Sequence, residues 1–142
     1  MTAAVFLILN IGCCGYAHAF GGMPERRIAL MLVAAALATA AADYGLPQPR
    51  GTIRWPVMLV DFALAMGLIW VAMIAERLWP MVVAALQLIT AIAHPALELA
   101  ATAAPRAYVI AIFMSGFLIP PVLAFGTFLH RRRTARTKRS TS

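Results

Sequence analysis

Apolar and polar positions alternate along this chain in long blocks, not with the short period of an amphipathic fold. Five apolar segments, residues 3–20, 28–42, 56–75, 80–101 and 107–129, are separated by every cluster of charged and turn-forming residues. A helix that crosses the hydrocarbon core of a bilayer needs about 20 residues, with about 17–25 tolerated. The third, fourth and fifth segments meet that length. The second is short, so it must thin the bilayer or let Arg26 and Arg27 snorkel. It is also rich in alanine, with Ala34, Ala35, Ala36, Ala38, Ala40, Ala41 and Ala42. Small side chains allow close helix approach, which predicts that this helix sits against several neighbours.

The first segment has a rival reading. Ala17-His18-Ala19 resembles a signal-peptidase site, but no Lys or Arg precedes the apolar run. Cleavage there would also leave four spans starting outside, with Arg26, Arg27 and the basic C-terminus on the wrong side for the positive-inside rule. The segment is therefore expected to be a span, or else to lie on the membrane.

These blocks predict an all-α membrane protein: a bundle of five transmembrane helices, or four if the first segment only lies on the surface. Residues 1–130 form one helical domain and residues 131–142 a basic tail. Placing the tail in the cytoplasm puts Arg26, Arg27 and Arg77 beside it and leaves Arg50, Arg54 and Arg106 outside, with the N-terminus. The orientation of the last four spans is the same whichever way the first segment settles. Trp55 and Trp79 fall at opposite interfaces, where indoles prefer to sit. Pro56 and Pro80 occupy first-turn positions, where a missing N–H costs little. Glu76-Arg77-Leu78-Trp79-Pro80 reads as a tight turn between two antiparallel helices, and the loop from Asp43 to Trp55 as the longest connection. Pro120-Pro121 is expected to break or kink the fifth helix by freeing the carbonyls of Gly116 and Phe117. The last residues, Ser140-Thr141-Ser142, are expected to be disordered.

Composition narrows the picture. Hydrophobic residues make up 63% of the 142 residues and charged residues 12%, against about 25% charged in an ordinary soluble domain. One core cannot hide so much apolar surface, so the surplus is expected to face lipid. The net charge of +7 invites a nucleic-acid reading, but six of the twelve Lys and Arg stand together as Arg131, Arg132, Arg133, Arg136, Lys138 and Arg139. A basic tail beside an apolar helix sets topology and holds anionic lipid head groups; no nucleic acid is expected. The two cysteines, Cys13 and Cys14, are adjacent within an apolar segment and read as small core residues, without metal or redox spacing.

Candidate chemistry is confined to polar residues at membrane depth, where each is expensive and therefore informative. They are Asp61, His94 and Glu98, with Asn10, Gln87 and Thr90 as uncharged companions. Gln87, His94 and Glu98 are spaced by seven and four residues, which places them on one stripe of the fourth helix, and Thr90 joins it. Asp61 and His94 are equally far from the Arg77-Leu78 turn, about 25 Å at 1.5 Å per residue. Asn10 reaches a similar depth if the first segment spans. This predicts a buried Asp61–His94 hydrogen bond or ion pair, flanked by Gln87 and Thr90 on one side and Glu98 on the other. The pair reads first as interhelical glue and second as part of a proton or cation path. A metal site needs three or four convergent ligands, and His18 and His130 lie near the opposite face, so no metal or other cofactor is expected.

Several stretches resemble a group of small polytopic inner-membrane proteins of alphaproteobacteria that carries no assigned activity. The resemblance lies in Pro24-Glu25-Arg26, Val60-Asp61-Phe62-Ala63-Leu64, Glu76-Arg77-Leu78-Trp79-Pro80, Ala85-Leu86-Gln87-Leu88-Ile89-Thr90, His94, Arg106-Ala107-Tyr108 and Gly126-Thr127-Phe128-Leu129-His130-Arg131-Arg132-Arg133. It implies a multi-pass protein of the bacterial inner membrane and no reaction. No nucleophile-plus-base arrangement occurs, the loops are short, and an enzyme is not expected. The leading expectation is an accessory or assembly subunit that binds another membrane protein. The alternative is a small oligomeric transporter or channel that uses Asp61 and His94.

Overall fold

The computed structural model describes residues 2–45, 55–75, 77–99 and 105–140. Among them there are five helices and no strand: α1 (Thr2–Phe20), α2 (Met23–Gly45), α3 (Trp55–Ile74), α4 (Trp79–Leu99) and α5 (Pro105–Ser140). Three carry stretches long and apolar enough to cross a membrane, Trp55–Ile74, Trp79–Ala96 and Phe113–Thr137, and Val5–Phe20 is a shorter apolar helix. Large apolar side chains such as Ile8, Met66, Trp70 and Ile92 are exposed, a surface suited to lipid and not to water.

The second helix extends past its short apolar segment at both ends. Its first turn contains Pro24 and Glu25, so Glu25-Arg26-Arg27 belongs to the helix and not to a loop, giving 23 residues. Proline in the first turn loses no helical hydrogen bond, and a carboxylate there meets the positive end of the helix dipole. The connection from α1 is only Gly21-Gly22. A side chain on Gly21 would collide with the Ala17 carbonyl and with Cβ of Glu25, and the Gly21 N–H still donates to Ala17 O at 2.9 Å. The turn therefore closes only around glycine.

Consecutive helices pack on one another, and α5 closes the set by packing on both α4 and α1 while also touching α2. The apolar core gathers at the end of the bundle that holds both short turns, where Cys14, Ala17, Ile28, Leu32, Leu68, Val71, Val83, Ile119 and Leu123 are buried together. Toward the Trp55 end the interior becomes polar, with buried Gln87, Thr90 and Ser115 beside Ala65, Ala91 and Ala93.

As expected, α2 sits against several neighbours, packing on α1 and α3 and touching α5. Its fully buried residues lie in its first turns, at Ile28, Ala29 and Leu32, whereas further along Ala35, Ala36 and Ala42 are half-buried and Ala34, Ala38, Ala40 and Ala41 are exposed. Of the break or kink expected at Pro120 and Pro121 the break does not occur, since α5 runs through them as one helix of 36 residues to Ser140 and takes in the basic tail. Pro120 is fully buried, so packing holds a helix that loses two internal hydrogen bonds. Ser140 accordingly ends a helix, while Thr141 and Ser142 lie outside the described residues.

Trp79 lies flat on α5 at Gly126. A Cβ at that glycine would stand 2.6 Å from Cδ2 and 2.8 Å from Cε2 of the indole. Gly126→Ala should therefore destabilise the protein by about 1–3 kcal/mol despite its better helix propensity. Thermal unfolding in detergent checks this, and an unchanged or raised Tm would show that the indole is free to move.

Candidate functional site

Two polar clusters occupy opposite halves of the bundle. The first joins the α3–α4 hairpin. Asp61 Oδ2 and His94 Nε2 are 3.0 Å apart. Gln87, two turns closer to the hairpin turn, donates from Nε2 to Asp61 Oδ1 at 3.0 Å and to the Asp61 carbonyl at 3.5 Å. Asp61 thus receives a donor on each carboxylate oxygen. The antiparallel turn at Arg77-Leu78 explains the pairing: positions equally distant from it come side by side. Asp61 lies on the face of α3 that also holds Val57, Ala65 and Leu68, and His94 on the face of α4 with Gln87 and Ala91, so both point inward.

The pair is not fully buried, however. The Asp61 side chain is 17% exposed and that of His94 29%, because the apolar core stops short of this level. Pro95 follows His94 inside α4 and has no N–H to return to the Ala91 carbonyl.

The other expected members of this site are placed differently. Thr90 turns to α5, where its Oγ1 lies 2.6 Å from Ser115 Oγ while donating to Leu86 O at 3.2 Å. Asn10 is buried in α1 and accepts from Cys14 Sγ at 3.1 Å, one turn along the same helix. Since α1 packs on α2 and α5, Asn10 does not join Asp61. The side chain of Glu98 lies outside the described residues, as do those of Lys138 and Arg139. Among the described residues no three of His, Cys, Asp and Glu converge as a metal site would require.

The second cluster was not foreseen. Arg77, in the α3–α4 turn, donates from Nη1 to Glu25 Oε1 at 2.5 Å and lies with Nη2 3.2 Å from His130 Nδ1. A guanidinium is only a donor, so Nδ1 accepts and the imidazole proton sits on Nε2. Glu25 is completely buried, and its second oxygen, Oε2, has no hydrogen-bond partner among the described residues. Oε2 of Glu25 and Nε2 of His130 each lie 3.1 Å from the point where a Gly22 side chain would begin. Four parts of the chain therefore meet at one level: the Gly21-Gly22 turn, the start of α2, the α3–α4 turn and α5. Just beyond, Arg131 lies 4.5 Å over the Phe20 ring and 3.5 Å from the Tyr16 hydroxyl, while Arg132 covers Phe128 at 4.5 Å.

No protein family, curated protein or solved structure matches the chain. Any functional reading therefore rests on this chain's own residues. Neither contains a nucleophile beside a base. The Asp61 cluster can accept, share or pass a proton, and the Glu25 cluster can lock helix ends together.

Breaking a buried ion pair on one side strands the other charge, at a cost of about 3–5 kcal/mol, whereas replacing both partners by apolar residues can be neutral. Arg77→Met should therefore be far less stable than the pair Glu25→Met/Arg77→Met, as read by thermal unfolding in detergent. Equal loss in both variants would mean that Arg77 does not compensate the Glu25 charge.

Proposed function

We propose that this chain is an accessory or assembly subunit of the bacterial inner membrane that docks on another membrane protein through α2. In this reading five helices span the bilayer, the N-terminus lies outside, and Arg26, Arg27, Arg77 and the tail cations lie in the cytoplasm. The resemblance to small inner-membrane proteins of alphaproteobacteria agrees with that placement. Anionic head groups gather at the foot of the tail, around Arg131.

The observation that carries the proposal is the outward face of α2. Leu30, Val33, Ala34, Leu37, Ala38 and Ala41 are all exposed at helical spacing. The exposed apolar residues of α1, α3 and α4 are mostly bulky, among them Ile8, Met66, Trp70 and Ile92; α2 also exposes Leu30, Val33 and Leu37, but with Ala34, Ala38 and Ala41 between them. Bulky side chains fill space against lipid tails, whereas small ones bring two helix backbones together. Ala34 and Ala38, one turn apart, are spaced for such a contact.

A specific observation favours a second reading, a small oligomeric transporter or channel. Asp61 and His94 form a carboxylate–imidazole pair at membrane depth, and both remain partly exposed, as a group that exchanges protons or cations must be.

One set of variants separates the two. With Ala34→Leu/Ala38→Leu, a stoichiometric membrane partner that co-purifies in mild detergent should be lost, while unfolding stability moves by less than about 0.5 kcal/mol because both sites are exposed. Asp61→Asn and His94→Ala should leave the partner bound and lower stability by about 0.6 kcal/mol, up to about 2. A clean homo-oligomer whose proton or cation flux in proteoliposomes is abolished by Asp61→Asn would overturn the subunit reading in favour of transport.

A further inference from the structure

His130 is held by one charged group and faces another. Its Nδ1 accepts from Arg77 Nη2 at 3.2 Å, which requires a neutral ring with its proton on Nε2. That second nitrogen and Glu25 Oε2 each lie 3.1 Å from the point where a Gly22 side chain would begin. The two atoms thus face each other across a glycine, with no side chain from position 22 between them. Glu25 is completely buried, and its Oε2 has no hydrogen-bond partner among the described residues. Buried polar atoms are normally paired, and the donor that faces this one is His130 Nε2–H.

Histidine is the side chain whose charge ordinarily changes between about pH 5 and 8. The His130 side chain is half-buried, so its ring can exchange protons with water. A second proton on the ring goes to Nδ1, because Nε2 already carries one. Nδ1–H then points at a guanidinium, which has donors and no acceptor. A contact that is a hydrogen bond in the neutral ring becomes a meeting of like charges. The same proton makes Nε2–H a charged donor toward the Glu25 carboxylate, the stronger kind of hydrogen bond. Protonation therefore removes one partner and strengthens another on a different edge of the ring.

The surroundings leave that choice to these three residues. The α3–α4 turn presents Arg77, the start of α2 presents Glu25, and α4 presents the Trp79 indole at Gly126, one turn from His130. The end of α1 presents Tyr16 and Phe20, which hold the neighbouring Arg131. On α5 itself Arg133 is exposed, and Thr134 donates to the His130 carbonyl and not to the ring. His18, Arg26 and Arg27 are exposed. Glu76 lies outside the described residues.

We propose that Glu25, Arg77 and His130 form a pH-sensitive lock in which His130 changes partner. With the ring neutral, α5 is tied to the α3–α4 turn through Arg77. With the ring charged, it is tied to the start of α2 through Glu25. The anchorage of the helix that carries the basic tail thus moves from one element to another as the pH falls, independently of any contact made by the outward face of α2.

Magic-angle-spinning NMR on the full chain in lipid bilayers, with carbon and nitrogen labels, tests this. At about pH 8 His130 Nδ1 should be unprotonated and correlated through space with Arg77 Nη2. At about pH 5 Nδ1 should carry a proton, that correlation should be lost, and the one from the Glu25 carboxyl carbon to His130 Nε2 should strengthen. His130→Asn keeps an acceptor near the place of Nδ1 and takes up no proton, so its contact with Arg77 should persist at both pH values. Glu25→Gln removes the charge that receives the protonated ring and should move the His130 midpoint to lower pH by about one unit or more. His94, in the other half of the bundle, is the internal reference and should titrate as before. A ring that stays neutral at pH 5, or keeps its Arg77 contact once charged, would overturn the proposal. So would loss of that contact without a gain at Glu25, or a midpoint that Glu25→Gln leaves in place.

Discussion

A polar side chain at membrane depth has no water to turn to, and the arrangement of this bundle follows from that constraint. Asp61 is met on both oxygens by donors from α4, one from His94 and one from Gln87. The Thr90 and Ser115 hydroxyls meet each other between α4 and α5, Asn10 accepts the Cys14 thiol, and the Thr127 hydroxyl returns to the Leu123 carbonyl. Lipid tails are as apolar as leucine, so hydrophobic burial does little to bring helices together in a bilayer. The Asn10–Cys14 and Thr127–Leu123 bonds stay within one helix and only satisfy their own polar atoms. The interhelical pairs, Asp61 with His94 and Gln87 and Thr90 with Ser115, are individually weak but determine which helix faces which more than they add to stability.

The bundle is divided by the same logic. At the end with the short turns, side chains are small or absent where backbones cross: Gly21 and Gly22 close one turn, and Gly126 receives the Trp79 ring. The resulting close approach excludes lipid and leaves Glu25 wholly buried, which Arg77 makes tolerable. His130 then ties α5 to the same guanidinium. At the opposite end the helices are joined by hydrogen bonds with less apolar packing around them, and α2 leaves its alanine face uncovered. The two ends therefore differ in kind: one is tight and ion-locked, the other polar and partly open. They also explain why the Asp61–His94 pair is reachable while the Glu25 carboxylate is not.

Much of the fold was legible because hydrophobic blocks of this length have one common outcome, a helix per block. The depth match of Asp61 and His94 could be counted because an antiparallel hairpin with a tight turn leaves little freedom in register. What could not be counted was any contact between elements distant in sequence. Glu25, Arg77 and His130 lie 52 and 53 residues apart, and each taken alone looks like an ordinary charge at the edge of an apolar block. Gly21-Gly22 ahead of Pro24-Glu25 was the available signal that a carboxylate would be drawn against backbone. The apolar block of α2 did not show the helix's full extent, because Glu25-Arg26-Arg27 adds a charged first turn to it. Alanine composition signalled that this helix has several neighbours, which α1, α3 and α5 supply, but not which of its turns they cover, since small residues show only how closely a helix can be approached. At Pro120-Pro121 the helix continues where a break was one of two expected outcomes, with Pro120 buried.

The central claim is that Asp61 is held by His94 and Gln87 across the hairpin, with its carboxylate satisfied inside the protein. Magic-angle-spinning NMR on uniformly labelled protein in lipid bilayers reads this directly through space. The structure predicts a short-range correlation between the Asp61 carboxyl carbon and His94 Nε2, together with one from the same carbon to the Gln87 side-chain nitrogen. Correlations from Asp61 to lipid or bulk water alone, with neither α4 partner visible, would contradict it.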